Sequence, residues 1–537
     1  MNPSGGASRD RILVSHPGIE ALAQLIYSDE VNLDVVLDID EGRLMSGRAA
    51  LAQAFEKART SKKPLVIHFH GGLVSRDSAL AGAPALEKFY RDAGAYPVIP
   101  VWKTGAWEVA QDIWLKIAAE ALFRVLVDRV TGFVHARMKD LMGSRSMSME
   151  RSLGPVTAGV LADSATGDGD FSADFLGLDV NQIRGQQDLA LTQFQEMSLE
   201  AAIQMDTDLN LVVDAVLQGA NLEVDGGARA LGAPRALVPL PSVADPAALR
   251  ELRGEANTRG LGIGTAVAVI TIISKVINRF IEKSDHGLHA TVVEEVLRKF
   301  YLGGIGAEAW SKIKEYASDA FDDKTAEAAG TALLEEVKKM PAEQRLMLVG
   351  HSAGSIFICQ LLKYFDGIEK RFEIVFLAPA ATVQLVVDEV VAREQHLAVS
   401  KDGRLCFRMY SMSDKFESRD TLVRNVPLLG DLTWFYPRSL LYLISGILEQ
   451  DKGADVVDAA IFGLQRMYVP GWRSAADPAI TRARDFIDKL PERRVWAVQD
   501  HPDARFRSNS TSHGGFGAPV IGNTTMESVA ALLSQGW

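Results

Sequence analysis

An apolar strand-like run, a serine between two glycines and a helix-like run follow one another at residues 346–362. The pentapeptide at 350–354 reads Gly-His-Ser-Ala-Gly. A serine on such a sharp strand-to-helix turn is forced into a strained backbone conformation that lifts its hydroxyl clear of the sheet. The flanking glycines are needed because side chains there would collide with the neighbouring strand and helix. This pattern predicts that Ser352 is a nucleophile on an α/β fold.

A second glycine turn follows the apolar run 65–69, where the sequence continues His-Gly-Gly-Leu. An acyl-transfer enzyme must stabilise the negative oxygen of a tetrahedral intermediate, and backbone N–H groups in a glycine turn can approach that oxygen closely. The predicted donors are the N–H groups of Gly72 and Leu73, together with that of Ala353, which follows the serine. The alternative is a plain glycine turn after a buried strand.

The acid of a serine hydrolase is expected on a loop after a later strand, where a carboxylate can orient a histidine and stabilise its charged form. The strand-like run 404–411 is followed directly by such a loop, and Asp414 is the predicted acid. Asp420, Glu417 and Asp388 are the alternatives.

The predicted general base is His513. It follows the strand-like run 494–498 and precedes a helix that a Thr-x-x-Glu capping box opens at Thr524. His501 is the rival, although it follows its strand almost at once and precedes a proline.

Taken together, these segments resemble the α/β-hydrolase fold serine hydrolases of the lipase and esterase kind. The family's order is oxyanion loop, nucleophile, acid and histidine, and this chain has Gly72, Ser352, Asp414 and His513 in that order. The resemblance implies an α/β fold with a doubly wound, mostly parallel sheet. It also implies an acyl-enzyme formed on Ser352, with water as the group that releases it.

Seven apolar runs, several of them followed by helical patterns, predict the strands of this sheet. They lie at 32–39, 64–69, 97–102, 345–349, 373–378, 404–411 and 493–498. Strands of this kind need helices on both faces. Their carboxyl ends should carry the site.

The interval between the predicted strand at 97–102 and the predicted strand at 345–349, which precedes the serine, is far longer than one helix and one strand need. We therefore expect residues 1–104 and 331–537 to form the α/β-hydrolase core, and 105–330 to form a mainly helical cap insertion. The cap should lie over Ser352, with Trp107 and Trp114 among the side chains that line an apolar acyl pocket.

The apolar run 261–273 has three interpretations. Thirteen residues are too few to span a bilayer, for which about 18 are needed. The continuation through Lys275 and Arg279 adds a polar side. The run can be a buried cap helix, a membrane-surface helix that gives peripheral contact through 261–281, or a membrane anchor.

Charge and composition limit the classes of partner and cofactor that are expected. A net charge of −12 with no basic stripe argues against nucleic acid. His68 and His70 could be half of a metal site, but no third ligand in a suitable context accompanies them, and the chemistry needs neither a metal nor an organic cofactor. The two cysteines, Cys359 and Cys406, are predicted to be buried free thiols. The first ten residues lack an apolar signal core, so a cytoplasmic protein is expected.

The sequence therefore predicts a serine hydrolase that cleaves carboxylic esters of an apolar, lipid-like small molecule. An acyltransferase or an amidase would use the same three residues, and the sequence does not separate these reactions. A non-catalytic scaffold that kept the fold and uses the insertion to bind a partner is the hypothesis from another class.

Overall fold

A computed structural model gives the fold of most of the chain. It describes residues 35–72, 74–102, 106–141, 184–219, 244–253, 262–301, 305–322, 324–325, 327–421, 434–449, 458–469, 477–488 and 491–537. Leu73 lies outside the described residues, and so do the first residues of the predicted strand at 32–39.

Eight strands form one mixed sheet. They are β1 (Val36–Asp40), β2 (Arg43–Leu44), β3 (Leu65–Phe69), β4 (Tyr96–Trp102), β5 (Leu346–His351), β6 (Glu373–Leu377), β7 (Phe407–Met412) and β8 (Arg494–Ala497). Their order across the sheet is β2-β1-β4-β3-β5-β6-β7-β8. Only the short edge strand β2 pairs in the antiparallel direction. All seven strands predicted from the sequence are present, and the short strand β2 was not predicted.

The helices that accompany the sheet are α1 (Gly47–Ser61), α2 (Arg76–Asp92), α3 (Ala106–Ala119), α4 (Ala121–Leu141), α5 (Gln193–Gln204), α6 (Thr207–Gly219), α7 (Pro246–Arg253), α8 (Gly262–Ile281), α9 (Leu288–Phe300), α10 (Ile305–Asp319), α11 (Ala329–Lys338), α12 (Gly354–Lys363), α13 (Val383–Glu389), α14 (Asp414–Glu417), α15 (Leu440–Leu443), α16 (Pro478–Asp488) and α17 (Thr524–Gln535). Helices α3 to α10 all lie within the interval 105–330, so the described part of that interval is mainly helical.

Alternate residues of the parallel strands face two different apolar layers. In β5, Leu346 and Leu348 join the larger hydrophobic cluster, whereas Met347 and Val349 join a smaller cluster. The smaller cluster contains residues of α2 and α17, and the larger one contains residues of α12 and of the insertion. The sheet is therefore covered on both faces, which explains why its central strands are mostly apolar. The chain belongs to the α/β class.

The direction of winding reverses between β3 and β5. From β3 the chain moves to β4 on one side, then crosses to β5 on the other side and continues outward through β6, β7 and β8. In open α/β sheets this reversal opens a crevice at the carboxyl ends of the two strands, where ligands bind. The glycine turn after β3 and the serine turn after β5 both lie there.

Helix α8 contains the apolar run that the sequence left with three interpretations. Its segment Ile263–Ile281 is long and apolar enough to cross a membrane, and it is the one such helix in the described part of the chain. It packs against α4, α5, α7 and α9, and side chains such as Val269, Ile272 and Val276 are buried. Because a core helix of a soluble protein has the same composition, this packing favours the buried-helix interpretation.

The charged end of α8 is buried as well. Arg279, expected on a polar side, is only 3% exposed, and its guanidinium lies 2.7 Å from Glu294 and 3.0 Å from Glu295 of α9. The Glu294 carboxylate is also bonded to the His286 ring (2.8 Å) and to the Tyr436 hydroxyl (2.6 Å). The other ring nitrogen of His286 is 3.1 Å from the Asp458 carboxylate, and burying such charges is tolerable only when they are paired.

This buried polar cluster joins distant parts of the chain. Arg279, His286 and Glu294 belong to the insertion, whereas Tyr436 and Asp458 come from the segments that follow β7. The insertion is therefore fixed to the C-terminal part of the fold by ionic contacts as well as by the shared apolar layer.

Both cysteines have the state predicted for them. Cys359 and Cys406 are free and buried. Burial raises the pKa of both thiols, that of Cys406 to about 12, so neither is a reactive thiolate at neutral pH.

Candidate functional site

Ser352 lies on the tight turn that joins β5 to α12. Its φ is +52°, in the left-handed region that residues with a side chain seldom adopt. The strain is held by hydrogen bonds on both sides: the Ser352 N–H donates to the Leu377 carbonyl oxygen (2.9 Å), and the Ser352 carbonyl oxygen accepts from the N–H and the hydroxyl of Ser355 (3.0 and 2.6 Å). Backbone strain of this kind persists only where the surroundings impose it, and it clusters at functional sites.

The two glycines of the pentapeptide are needed for the contacts that the sequence analysis expected. A Cβ on Gly354 would lie 2.3 Å from the Phe69 carbonyl oxygen of β3. A Cβ on Gly350 would lie 2.8 Å from Ile358 Cδ1 of α12. No real Cβ approaches so closely, so the helix can only sit this near the strands if both positions are glycine.

The glycine turn after β3 lies directly against the serine turn. A Cβ on Gly72 would be 2.9 Å from the Ala353 Cβ, so the two backbones are in close contact. Among the described residues, neither the Gly72 N–H nor the Ala353 N–H has a hydrogen-bond acceptor. Two adjacent N–H groups without acceptors can receive an oxyanion. Leu73, the third predicted donor, lies outside the described residues.

His70 fixes the direction of one of these N–H groups. The Trp102 N–H donates to His70 Nε2 (3.1 Å), so the ring proton is on Nδ1, which donates to the Gly71 carbonyl oxygen (2.8 Å). Burial lowers the pKa of His70 to about 4, so the ring is neutral at neutral pH. Because the Gly71 carbonyl and the Gly72 N–H point in opposite directions from one planar peptide, holding the first also orients the second.

The ring of His68, on β3, is hydrogen bonded as well. His68 Nδ1 lies 2.7 Å from the Tyr90 hydroxyl, and burial lowers the pKa of His68 to about 3. Within the described residues no group of three or more His, Cys, Asp or Glu side chains could hold a metal ion.

His513 is in contact with His351, the residue that precedes Ser352. His513 is 8% exposed and begins a short 3-10 turn, His513–Gly517. Its ring stacks on that of His351, with centroids 5.4 Å apart and planes 29° from parallel. Among the described residues no side chain hydrogen bonds to the Ser352 hydroxyl, and catalytic hydrogen bonds are often long or poorly aligned without substrate.

Two aspartates of the loop after β7 differ in what they contact. Asp414, the predicted acid, accepts a 2.5 Å hydrogen bond from the Tyr442 hydroxyl, and its N–H donates to Gln465. Asp420 Oδ2 instead accepts from the main-chain N–H of His513 at 2.7 Å. The structure thus brings Asp420, one of the sequence alternatives, to the histidine, whereas Asp414 is engaged elsewhere.

The other two acid candidates are placed differently. Glu417 is fully buried on α14, and burial raises its pKa well above the usual range, which disfavours the charged form that a catalytic acid of this kind needs. Asp388 is on the surface in α13, where its carboxylate accepts from Gln384.

His501, the alternative base, is exposed and contacts residues of its own loop. Its Nδ1 accepts from the Asp503 N–H at 3.1 Å, and its ring packs against Phe506 at 5.1 Å between centroids. Neither partner belongs to the turns that carry Ser352 and Gly72.

The insertion reaches the site through α10. A Cβ on Gly72 would lie 3.3 Å from two side-chain carbons of Ile313, so this helix lies against the oxyanion turn. Trp114 is buried in an edge-to-face contact with Phe435, 5.9 Å between centroids. The Trp107 side chain is outside the described part of the chain.

Comparison with protein-family models, with curated proteins and with solved structures finds no match to this chain. The function must therefore be argued from the geometry of the site.

Proposed function

We propose that this chain is an α/β-hydrolase fold serine hydrolase that cleaves carboxylic esters through an acyl-enzyme on Ser352. The observation that carries the proposal is the strained serine turn at the reversal of the sheet, in contact with a glycine turn that offers a second N–H group. The order of the groups along the chain adds support, because Gly72, Ser352, an aspartate and His513 follow one another as they do in that family.

In the proposed mechanism His513 removes the proton of Ser352 while the serine oxygen attacks the ester carbonyl carbon. The carbonyl oxygen becomes an oxyanion and accepts from the N–H groups of Gly72 and Ala353. As the intermediate collapses, His513 gives its proton to the leaving alcohol. Water then attacks the acyl-enzyme by the reverse sequence, releases the acid and restores the serine.

The carboxylate that supports His513 is best assigned to Asp420. Its Oδ2 accepts a 2.7 Å hydrogen bond from the main-chain N–H of His513, so the carboxylate lies next to this histidine, where its negative charge favours the imidazolium that forms during the reaction. Asp414, predicted from the sequence, is bonded to Tyr442 and is the alternative.

Replacing each aspartate by asparagine separates the two assignments. Asp420→Asn should lower kcat for short esters by about 10³-fold or more, because an amide cannot stabilise the charged imidazole. Asp414→Asn should cost far less, since an amide oxygen still accepts from Tyr442. Steady-state kinetics on both variants measures this. If Asp414→Asn caused the larger loss, the acid would be Asp414.

The proposed substrate is an apolar, lipid-like ester. The interior around the site supports it, since Ile313 of the insertion borders Gly72 and the large hydrophobic cluster extends from the sheet into the insertion. Each additional buried CH₂ group of an acyl chain is worth about 0.8 kcal/mol.

The experiment that tests the proposal is labelling of the purified protein with two fluorophosphonates, one carrying an ethyl and one a decyl chain. Such compounds phosphorylate activated serines and report them without knowledge of the substrate. We expect one modification, mapped by peptide mass spectrometry to Ser352, with the decyl compound reacting faster. No labelling with either compound would contradict a serine hydrolase. Equal rates would contradict only the apolar acyl site.

A further inference from the structure

His351 occupies an enclosed position next to the serine. Its ring is buried where three turns meet: its own, the glycine turn after β3, and the turn that begins at His513. A Cβ on Gly71 would lie 3.3 Å from His351 Nδ1, and a Cβ on Gly517 would lie 3.0 Å from the same atom. One face of the ring stacks on the His513 ring. The His351 ring has therefore little freedom to move.

The protonation of His351 follows from its hydrogen bond. Nε2 lies 3.1 Å from the His513 carbonyl oxygen, which can only accept, so Nε2 carries a proton and donates. Burial lowers the pKa of His351, so the ring is neutral at neutral pH and Nδ1 is unprotonated. The close glycine contacts lie on this unprotonated side.

The main chain of His513 is consequently held on both of its polar groups. Its N–H donates to Asp420 Oδ2 at 2.7 Å, and its carbonyl oxygen accepts from His351 Nε2. One contact comes from the loop after β7 and the other from the serine turn itself. Fixing both groups fixes the direction in which the Cα–Cβ bond of His513 leaves the chain.

We propose that His351 is a positioning residue for the reaction: through its hydrogen bond and its stacked ring it holds His513 at the place from which the imidazole reaches the Ser352 hydroxyl. The inference rests on the proposed function of Ser352 and His513. It gives a chemical role to His351, which occupies the first variable position of the Gly-x-Ser-x-Gly pattern. A base displaced by about 1 Å can cost about 10²-fold in rate.

The test compares His351→Gln with His351→Leu. The glutamine amide nitrogen can take the place of Nε2 and donate to the His513 carbonyl oxygen, whereas leucine fills space without donating. On p-nitrophenyl butyrate we expect His351→Leu to lower kcat by about 10- to 100-fold, with KM changed less than about twofold. We expect His351→Gln to keep kcat within about threefold of the wild type. Titration of active sites with a fluorophosphonate corrects each kcat for inactive protein.

A second pair of variants reaches the same ring from the other side. Gly517→Ala would place a methyl group against His351 Nδ1 and push the ring away, so it should lower kcat as His351→Leu does. Gly514→Ala is the matched control in the same turn, because a Cβ there meets no atom within 4 Å, and it should leave kcat unchanged. This pair keeps the test decisive even if His351→Leu does not fold.

The outcomes separate this inference from the proposed function. Wild-type kcat in both His351→Leu and Gly517→Ala would overturn the positioning role, and so would a glutamine variant as slow as the leucine variant. A loss of active-site titre in proportion to the loss of rate would mean a structural role only, and would also overturn it. If the wild type is not labelled at Ser352, the proposed function fails and the positioning role falls with it.

Discussion

Ser352→Ala should lower kcat for short esters by about 10³-fold or more and abolish fluorophosphonate labelling. The reason is that the Ser352 hydroxyl forms the acyl-enzyme in the proposed mechanism, and without it the oxyanion donors Gly72 and Ala353 have no covalent step to assist. Alanine at a φ of +52° retains the existing backbone strain without adding to it, so the variant should remain folded.

The measurement is the rate of p-nitrophenyl butyrate hydrolysis, with thermal unfolding to confirm the fold. Ser534→Ala is a suitable control, because Ser534 is exposed on α17 and, within the part of the chain that the structure describes, its hydroxyl bonds only to the Ala530 carbonyl of the same helix. Full labelling of Ser352→Ala would show that the reactive serine is elsewhere.

His513→Ala should cost about as much as the loss of the serine, since a serine hydroxyl without its general base is a weak nucleophile at neutral pH. The effect on groups that act as a unit is not additive, so the double variant with Ser352→Ala should be no slower than either single variant. His501→Ala is the control, because His501 is exposed and its ring contacts Asp503 and Phe506 of its own loop.

Kinetics of the three variants checks this, with kcat corrected for folded protein. A large loss in His501→Ala together with a small loss in His513→Ala would reassign the base.

The sheet could be predicted from the sequence because its central strands are covered on both faces and are therefore mostly apolar. All seven predicted runs contain a strand, and the boundaries differ by a few residues at most. The missed strand, β2, has two residues, Arg43 and Leu44, which are too few to show any period. The serine turn could also be predicted, since its two glycines, which close contacts with neighbouring elements require, form a short and recognisable pattern.

The acid could not be chosen from the sequence in the same way. Asp414 and Asp420 both follow β7 closely, and what distinguishes them is the partner of each carboxylate. Tyr442 is 28 residues beyond Asp414, and His513 is 93 residues beyond Asp420. Spacing along the chain carries no information about contacts of this range.

The burial of charged residues in helix α9 could not be predicted from the sequence for the same reason. Its sequence contains Glu294, Glu295 and Arg298, which normally indicate a solvated face, yet most of the helix is buried. The charges are tolerated because Arg279 and His286 pair with the two glutamates. Those partners lie in other elements, so the pattern within α9 does not reveal them.

The same cluster has a consequence for the order in which the chain acquires its structure during synthesis. The Glu294 carboxylate takes a hydrogen bond from Tyr436, and His286 takes its second partner from Asp458, residues that leave the ribosome more than a hundred positions later. Until they arrive, Glu294 and His286, which end up with no solvent exposure, have each other but lack one further hydrogen-bond partner each, and burying an incompletely bonded polar group is costly. The hydrogen bonding of this buried cluster is therefore completed only when the C-terminal segments have been made.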